Sequence, residues 1–317
     1  MIFDRDRLTI GKLQDRKSKT AYKPIGRTPK IVQQDQLDFV DEMATEIREK
    51  KKVIIGFGGH FIKNKCHRQL IELINHNYIT HIVTNGASTI HDFEFGYHGK
   101  TEEDVKENLA NGTFGLWETG EHINKAINLY GYMGYGKSIG KYIDIERTKE
   151  FGWIPSSCIN LAWQCFKKDI PLSVCTSIGH DIIYEHPRCD GAKIGQASYI
   201  DFLNYASTME GIENAVFICV GSAITFPMVT EKAFAMAKNV ARNTGNNCSC
   251  YVVDLFDDKG TWDGNEPDKN DASYFIRPLK TFNRMFPNRC KYMKLDNRQL
   301  MYHLKESLVG KKVRGNT

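Results

Sequence analysis

The sequence lacks any apolar run close to the roughly 20 residues that a membrane-spanning helix requires. Its first residues, MIFDRDRLTIGKLQDRKSK, also lack the apolar core of a signal peptide. Cysteine occurs nine times, an odd number at irregular intervals, which is typical of reduced thiols and not of a disulfide framework. These absences predict a cytoplasmic protein with no membrane partner.

A strong excess of one charge is missing as well, because the net charge is only +5. Residues 1–30 contain nine Lys or Arg and three Asp or Glu, whereas the remaining 287 residues contain 34 and 35. No aromatic stripe interleaved with Lys and Arg is present, so we expect no nucleic-acid partner. The composition indicates a basic N-terminal arm, residues 1–35, either flexible or ordered on docking, followed by a single domain, residues 36–317.

What the sequence does contain is an alternation of short apolar segments with helical patterns. The apolar segments are short and apolar on both faces, as strands buried on both sides of a sheet are. The alternation predicts an α/β protein with a Rossmann-like parallel sheet and helices on both faces. The predicted strands are 53–56, 81–84, 172–175, 215–220 and 251–255, and the predicted helices include 65–77, 102–110, 118–130, 157–168, 196–209, 227–243 and 296–308.

Ligands of open parallel sheets bind beyond the carboxyl ends of the strands. Most of the predicted strands end in small, glycine-bearing turns, which let backbone N–H groups approach phosphate oxygens. Several such turns at one sheet edge indicate a dinucleotide, although neither G-x-G-x-x-G nor a P-loop motif occurs. The candidate cofactor-binding residues at these ends are Gly58, Gly59, Asn85, Gly86, Ala87, Thr176, Gly221, Ser222 and Asp254.

Histidines and acidic residues follow the same strand ends, as His60, His91-Asp92 and His180-Asp181. A general base needs a pKa near the working pH, which a histidine or a desolvated carboxylate can supply. The structural alternative is that these residues start helices, with Asp181 capping a helix that begins near Ile182. No H-x-x-x-H or C-x-x-C spacing sets a metal site, so we predict no metal and keep a metal-dependent hydrolase only as an alternative.

The segment 54–94, IIGFGGHFIKNKCHRQLIELINHNYITHIVTNGASTIHDFE, resembles the corresponding part of deoxyhypusine synthase. The resemblance continues in the family's order through 176–186 (TSIGHDIIYEH), 220–223 (VGSA) and the Asp- and Gly-rich loop 257–273. The same pattern is similar to a group of bacterial deoxyhypusine-synthase-like proteins without an assigned activity.

The resemblance implies a deoxyhypusine-synthase-like NAD-binding fold, NAD as the cofactor and a homo-oligomer, which is a tetramer in that family. Family members remove a hydride from the amine-bearing carbon of spermidine and transfer an aminobutyl group through a lysine imine. Asp181 matches a carboxylate that contacts the polyamine. At the position of the family's lysine segment this sequence has SYFIRPLK, residues 273–280, and at the position of the family's histidine pair it has Thr-Phe-Pro, residues 225–227. The residues that bind the cofactor in that family are therefore matched better than those that transfer the aminobutyl group.

We therefore expect an NAD-dependent enzyme that oxidises an amine- or hydroxyl-bearing carbon of a small substrate of the polyamine, amino acid or polyol class. The candidate catalytic residues are His60, His91, Asp92, His180, Asp181 and Lys280. Two other functions stay open. One is a true deoxyhypusine or homospermidine synthase that forms an imine at Lys280 or Lys269, and the other is a regulatory protein that binds NAD without catalysis.

Overall fold

The computed structural model describes residues 2–22, 30–50, 52–146, 159–257 and 260–310. The chain divides into two compact units. The first unit comprises Met1–Pro24, Gly58–Lys63 and Val83–Tyr205, and the second comprises Ile25–Phe57, Asn64–Ile82 and Ala206–Thr317. Among the described residues, no helix has the length and apolarity needed to cross a membrane. The boundary at residue 35 between an arm and a single domain stays a prediction.

The strands form one large and one small sheet. Six strands pair in the order β5-β3-β2-β6-β7-β8, and the pairs β2–β6, β6–β7 and β7–β8 are parallel. The predicted α/β architecture with a parallel sheet is thereby confirmed. The strands are β1 (Ser18–Ala21), β2 (Lys52–Phe57), β3 (His81–Thr84), β4 (Lys100–Glu103), β5 (Leu172–Val174), β6 (Ala215–Val220), β7 (Ser249–Asp254) and β8 (Cys290–Lys294).

The helices follow the expected alternation, and the predicted helix 118–130 is confirmed to the residue. Residues 157 and 158 of another predicted helix lie outside the described residues. The helices are α1 (Gln34–Glu49), α2 (Gly59–Lys63), α3 (His67–Asn75), α4 (Gly86–His98), α5 (Val105–Asn111), α6 (Glu118–Tyr130), α7 (Tyr135–Glu146), α8 (Leu161–Lys168), α9 (Gly191–Met209), α10 (Thr225–Val240), α11 (Arg277–Met285) and α12 (Asn297–Val309).

In the second unit, strand β6 is buried along its whole length, as its uninterrupted apolar sequence AVFICV predicts. Helix α10 packs closely on strand β2, because a Cβ atom at Gly56 would overlap the ring of Phe226. Phe217 of β6 and Phe286 contact each other with ring centroids 4.8 Å apart. The parallel pairing of β6 with β7 places their carboxyl ends side by side, with Val220 opposite Val253.

In the first unit, helix α4 is capped at both ends. Asn85 accepts a hydrogen bond from the Ser88 N–H, and Gly99 ends the helix in the left-handed region at φ 72°. The chain then reverses into β4, which pairs antiparallel with β1 of the predicted arm. Leu13 of the arm is fully buried and donates its N–H to Glu118, so these residues of the arm are part of the unit.

Candidate functional site

The first unit contains a cavity of about 290 Å³. Helix α4 provides Ala87 and His91, and the segment after β5 provides His180 and Asp181. The cavity therefore brings together three of the six candidate catalytic residues and one candidate cofactor residue. Charged side chains from the arm, α2, α4 and β4 complete the lining: Arg16, Lys19, Lys63, Glu94, Glu102 and Glu103.

Asp181 is placed by a tight turn. The His180 N–H donates to the Ser177 carbonyl, and Gly179 adopts φ 86°, which favours glycine at this turn position. The Asp181 carboxylate then lies against Gly86 and accepts the N–H of Ala87 at the first turn of α4. Burial raises the pKa of Asp181 to about 6, against the lowering effects of His180 and of that N–H. Asp181 makes no side-chain cap for the turn Ile182–Tyr184, so the capping alternative is wrong.

This position of Asp181 changes the reason for glycine at residue 86. We expected a cofactor to approach the backbone there, but a Cβ atom would instead overlap the Asp181 carboxylate. The neighbouring Asn85 uses its side chain to cap α4. A carboxylate at a helix N-terminus is stabilised by the helix dipole and the free N–H groups. The protein therefore supplies its own anion at this strand end.

His91 reaches the cavity from one turn further along α4. Its Nδ1 lies 2.7 Å from Oγ1 of Thr101, and burial lowers its pKa to about 4. The ring is therefore neutral near pH 7. His180 is exposed at the edge of the cavity. His60 is exposed on α2 and does not line the cavity.

Asp92 does not share the cavity with His91. Its two oxygens accept the N–H groups of Leu161 at 2.7 Å and Ala162 at 3.0 Å, so the carboxylate caps helix α8. Burial raises the pKa of Asp92 to about 7, although the two N–H groups act in the opposite direction. Asp92, a candidate catalytic residue, therefore does not share this pocket with His91, because successive residues of a helix point in different directions.

The other candidates of the first unit make contacts within the protein. Gly59 allows α2 to pack on α4, since its Cβ would lie 3.1 Å from that of Ala87. The Gly58 carbonyl accepts the N–H of Phe61, and the Thr176 N–H donates to Ser198. Their assignment to a cofactor stays a prediction.

The cations around the cavity have acidic partners. Lys63 pairs with Glu102 at 2.7 Å, Lys19 with Asp104 at 3.0 Å, and Arg16 forms two hydrogen bonds with Glu94. No described Lys or Arg forms an ion pair with Asp181. Two carboxylates of the cavity, Asp181 and Glu103, form no ion pair among the described residues. Glu103 is buried and accepts N–H groups of Asn108, Gly115 and Trp117, so Asp181 is the better candidate to bind a cationic ligand.

In the second unit, the carboxyl ends of β6 and β7 carry Gly221, Ser222 and Asp254. Gly221 adopts φ 57°, and no described atom lies within 4 Å of the position of its Cβ. Ser222 accepts the Phe226 N–H at the start of α10, and one oxygen of Asp254 accepts the Leu255 N–H. An open glycine turn before a helix, with an acid at the end of the next strand, fits the phosphate and ribose groups of a dinucleotide.

Lys280 lies on α11 and is almost completely buried. Its Nζ lies 3.3 Å from the centroid of the Tyr274 ring and 3.5 Å from Glu266. The side chain is thus held by a cation–π contact and an ion pair within the protein. Lys269 is exposed. A role of either lysine in catalysis stays a prediction.

Several residues of the cavity region have no signal in the sequence, among them Arg16 and Thr101. Arg16 lies in the basic arm, where nothing distinguishes it from its solvated neighbours. Thr101 follows the C-terminal glycine of α4, and its proximity to His91 depends on the chain reversal at Gly99. Among the described residues, no group of three or more His, Cys, Asp or Glu side chains is arranged to hold a metal ion.

No family model and no curated protein matches the sequence. A conserved protein from Methanococcus maripaludis S2, provisionally described as LOR/SDH, aligns with 90% of this chain and 73% of its own at 14% identity, with a TM-score of 0.51. Unliganded AgrE aligns with 89% of this chain and 34% of its own at 16% identity, with a TM-score of 0.53. The chain has the fold of these two proteins. It spans about a third of the length of AgrE.

AgrE has also been solved with ornithine and NAD⁺, and that structure matches at 15% identity with a TM-score of 0.50. A protein from Entamoeba histolytica, provisionally described as a deoxyhypusine synthase, matches over 86% of both chains at 9% identity with a TM-score of 0.47. The Rossmann-like fold predicted from the sequence is confirmed by the first two structures.

Proposed function

We propose that this protein is an NAD-dependent enzyme that oxidises the amine- or hydroxyl-bearing carbon of a small cationic substrate. The observation that carries the proposal is the cavity of the first unit, where the unpaired carboxylate of Asp181 and the neutral ring of His91 line one space of about 290 Å³. The complex of AgrE with ornithine and NAD⁺ supports the proposal, since a protein that shares this fold over about a third of its length binds an amino acid and this cofactor.

Asp181 selects the substrate class. A protonated amine bound at this carboxylate gains a charge-assisted hydrogen bond, worth roughly 1.5–3 kcal/mol. The cations lining the cavity are already paired with acidic side chains, so none of them is left to bind an anionic group of the substrate. This charge pattern favours a polyamine, which carries no anionic group, over an amino acid or a polyol.

His91 moves the proton. The hydride can leave the substrate carbon only as the proton of the attached nitrogen or oxygen is taken, because the product is an imine or a carbonyl group. A neutral imidazole beside the bound substrate can accept that proton. When bound, NAD supplies the hydride acceptor. In this assignment Gly221, Ser222 and Asp254 of the second unit hold the cofactor.

The proposal is tested by incubating the purified protein with NAD and, separately, a polyamine, a basic amino acid and a polyol, and following NADH formation. We expect turnover with a cationic substrate and its loss in His91→Gln. Size-exclusion chromatography with light scattering tests the homo-oligomer in the same sample. NAD binding without turnover of any cationic substrate would instead favour the regulatory alternative.

A further inference from the structure

A continuous chain of hydrogen bonds connects the N-terminal arm to His91. Two guanidinium nitrogens of Arg16 donate to the two carboxylate oxygens of Glu94, at 2.8 and 2.7 Å. The hydroxyl of Thr101 donates to Glu94 Oε2 at 2.6 Å. The same Thr101 oxygen lies 2.7 Å from Nδ1 of His91. All four residues belong to the first unit.

Local sequence and structure bring the members of this chain together. His91 and Glu94 lie three residues apart on α4 and therefore face the same side of the helix. Gly99 reverses the chain into β4, so that Thr101 lies against that side, and Thr101 is opposite Thr20 of β1. The strand pairing of the arm with β4 thus holds Thr101 in place.

Glu94 is ionised in this arrangement. Burial by itself would raise the pKa of Glu94, but the hydrogen bonds and charge of Arg16, with the hydroxyls of Thr101 and Thr119, bring it below the usual value. The side chains of Arg16 and Glu94 are only 2% and 1% exposed, so water cannot replace either partner. An ionised carboxylate only accepts hydrogen bonds.

The protons of the chain can therefore be counted. Thr101 has a single hydroxyl proton, and it is donated to Glu94. The Thr101 oxygen can then only accept from His91, so Nδ1 of His91 must carry a proton. A neutral imidazole has one N–H, which leaves Nε2 as the unprotonated, basic nitrogen. Within the described residues, Nε2 makes no hydrogen bond to the protein.

We propose that Thr101 and Glu94 are positioning residues for His91, which fix its neutral ring with the proton on Nδ1 and leave Nε2 free to accept a proton from a ligand in the cavity. Arg16 of the arm is the counter-ion that keeps Glu94 ionised for this purpose. The catalytic use of Nε2 rests on the proposed function, whereas the tautomer of His91 does not.

The other charged groups near His91 do not select a tautomer by contact. Lys63 and His60 disfavour a positive charge on the ring, and Glu94 and Glu102 favour it. Burial outweighs all four and lowers the pKa of His91 to about 4. The ring is therefore neutral at pH 7, and its tautomer is determined by Thr101.

The test is imidazole ¹⁵N NMR of protein labelled at histidine, recorded at pH 7 without substrate. Spectra of His91→Gln and His76→Gln assign the signals of these two residues, and His76, whose Nδ1 contacts the Glu72 carbonyl at 2.8 Å, is the internal reference. We expect the Nδ1–H tautomer for His91 in the parent and in Thr101→Ser. Thr101→Val, which has a similar volume and no hydroxyl, should shift the proton toward Nε2 and leave His76 unchanged.

A parent protein with the proton of His91 on Nε2 would overturn the proposal, even if Thr101→Val does not fold. So would a Thr101→Val spectrum identical to that of the parent. With a turned-over substrate, Thr101→Val should lower kcat about tenfold or more at an unchanged KM, and Thr101→Ser should restore it. If the tautomer is as expected but no substrate is turned over, the proposed function fails and the positioning role stands.

Discussion

Strands β3 and β6 both end in a glycine-containing turn that precedes a helix, but a side chain lies against only the first of these two turns. Strand β3 runs into Asn85-Gly86-Ala87 and helix α4, and β6 runs into Gly221-Ser222-Ala223 and helix α10. At the end of β3, the carboxylate of Asp181 lies against Gly86. At the end of β6, no described atom lies within 4 Å of the Cβ position of Gly221.

The difference shows how a glycine at a strand end should be interpreted. The N-terminus of a helix favours an anion in both places. The protein satisfies α4 with its own side chain and leaves the turn before α10 open. A glycine after a strand therefore does not by itself indicate a ligand, because Gly86 makes room for a side chain and Gly221 adopts a left-handed conformation in an open turn.

The largest expected effect concerns the buried ion pair of Arg16 with Glu94 in the first unit. Arg16→Met should lower the free energy of unfolding by about 3–5 kcal/mol, because it leaves the carboxylate of Glu94 buried without a cation. Urea denaturation of the variant and of the parent measures this difference.

The adjacent Lys17 is the matched control. It pairs with Glu107 at 3.4 Å, but the two side chains are 85% and 48% exposed. Lys17→Met should therefore change the free energy of unfolding by less than about 1 kcal/mol. Equal losses in both variants would mean that the arm is stabilised by its general charge and not by the Arg16–Glu94 pair.

The next effect separates the two strand ends directly. A methyl group at Gly221 occupies open space in the turn that we assign to the cofactor, so Gly221→Ala should weaken NAD binding about tenfold or more. Gly86→Ala should leave NAD affinity unchanged, because the methyl displaces Asp181 and no cofactor. Isothermal titration calorimetry with NAD measures both affinities.

Gly211→Ala controls for backbone strain. Gly211 also belongs to the second unit and has φ 64°, close to the 57° of Gly221, and its Cβ position has only Ala241 at 4.0 Å. In Gly211→Ala and in Gly221→Ala, an alanine in the left-handed region costs the same conformational free energy, roughly 1 kcal/mol. Only a contact with the ligand should therefore distinguish these two variants. If Gly86→Ala abolishes NAD binding and Gly221→Ala does not, the cofactor belongs at the end of β3.

A smaller effect is expected at Asp181. Asp181→Asn removes the charge of a cavity carboxylate that has no ion pair and should weaken the binding of a cationic substrate about tenfold, with NAD affinity unchanged. In the parent, substrate affinity should rise with pH up to about 6 and then level off, since the pKa of Asp181 is raised to that value and the ionised form binds the amine. A KM that does not change across this range, or in the variant, would remove Asp181 from the substrate site.

The free energy of unfolding should depend on the ionisation of Asp181 in the opposite direction, decreasing as the pH rises. The raised pKa means that the folded state favours the protonated carboxyl, so the contribution of Asp181 to the free energy of unfolding is lost as the pH rises from about 4 to about 6. Comparing the parent with Asp181→Asn by thermal unfolding at these two pH values isolates this contribution. Asp190→Asn, at an exposed helix cap, is the control.

The parts of the molecule that the sequence predicted are those determined by local patterns. Strands 81–84 and 215–220 have apolar residues at their centres and are buried on both faces, and the structure confirms them to the residue. Helix α4 was missed because most of its residues are buried, so it lacks the polar face that marks an amphipathic helix. Helix α11 begins with an arginine and a proline after an irregular loop, and it was missed as well.

The only part of the site that the sequence predicted follows from the rule that ligands of parallel sheets bind beyond the carboxyl ends of the strands. That rule placed His91, His180 and Asp181 near one another, because residues after neighbouring parallel strands share a sheet edge. It could not reveal Arg16, whose role depends on the pairing of β1 with β4, or Thr101, which follows a chain reversal. It also could not show that Asp92 faces away from His91, because helix α4, on which the two residues follow each other, was not predicted.

The smallest expected effect tests this last distinction between the two His-Asp pairs. Asp92 accepts two N–H groups at the start of α8, and asparagine has only one side-chain oxygen to replace them. Asp92→Asn should therefore lower the free energy of unfolding by about 0.5–2 kcal/mol, as expected for a weakened helix cap. Because Asp92 does not line the cavity, the variant should retain the parent's NAD affinity and KM, in contrast to Asp181→Asn. Urea denaturation and steady-state kinetics on the same preparations decide between the two roles. A variant with the parent's stability but a raised KM would return Asp92 to the substrate site and make the two His-Asp pairs equivalent.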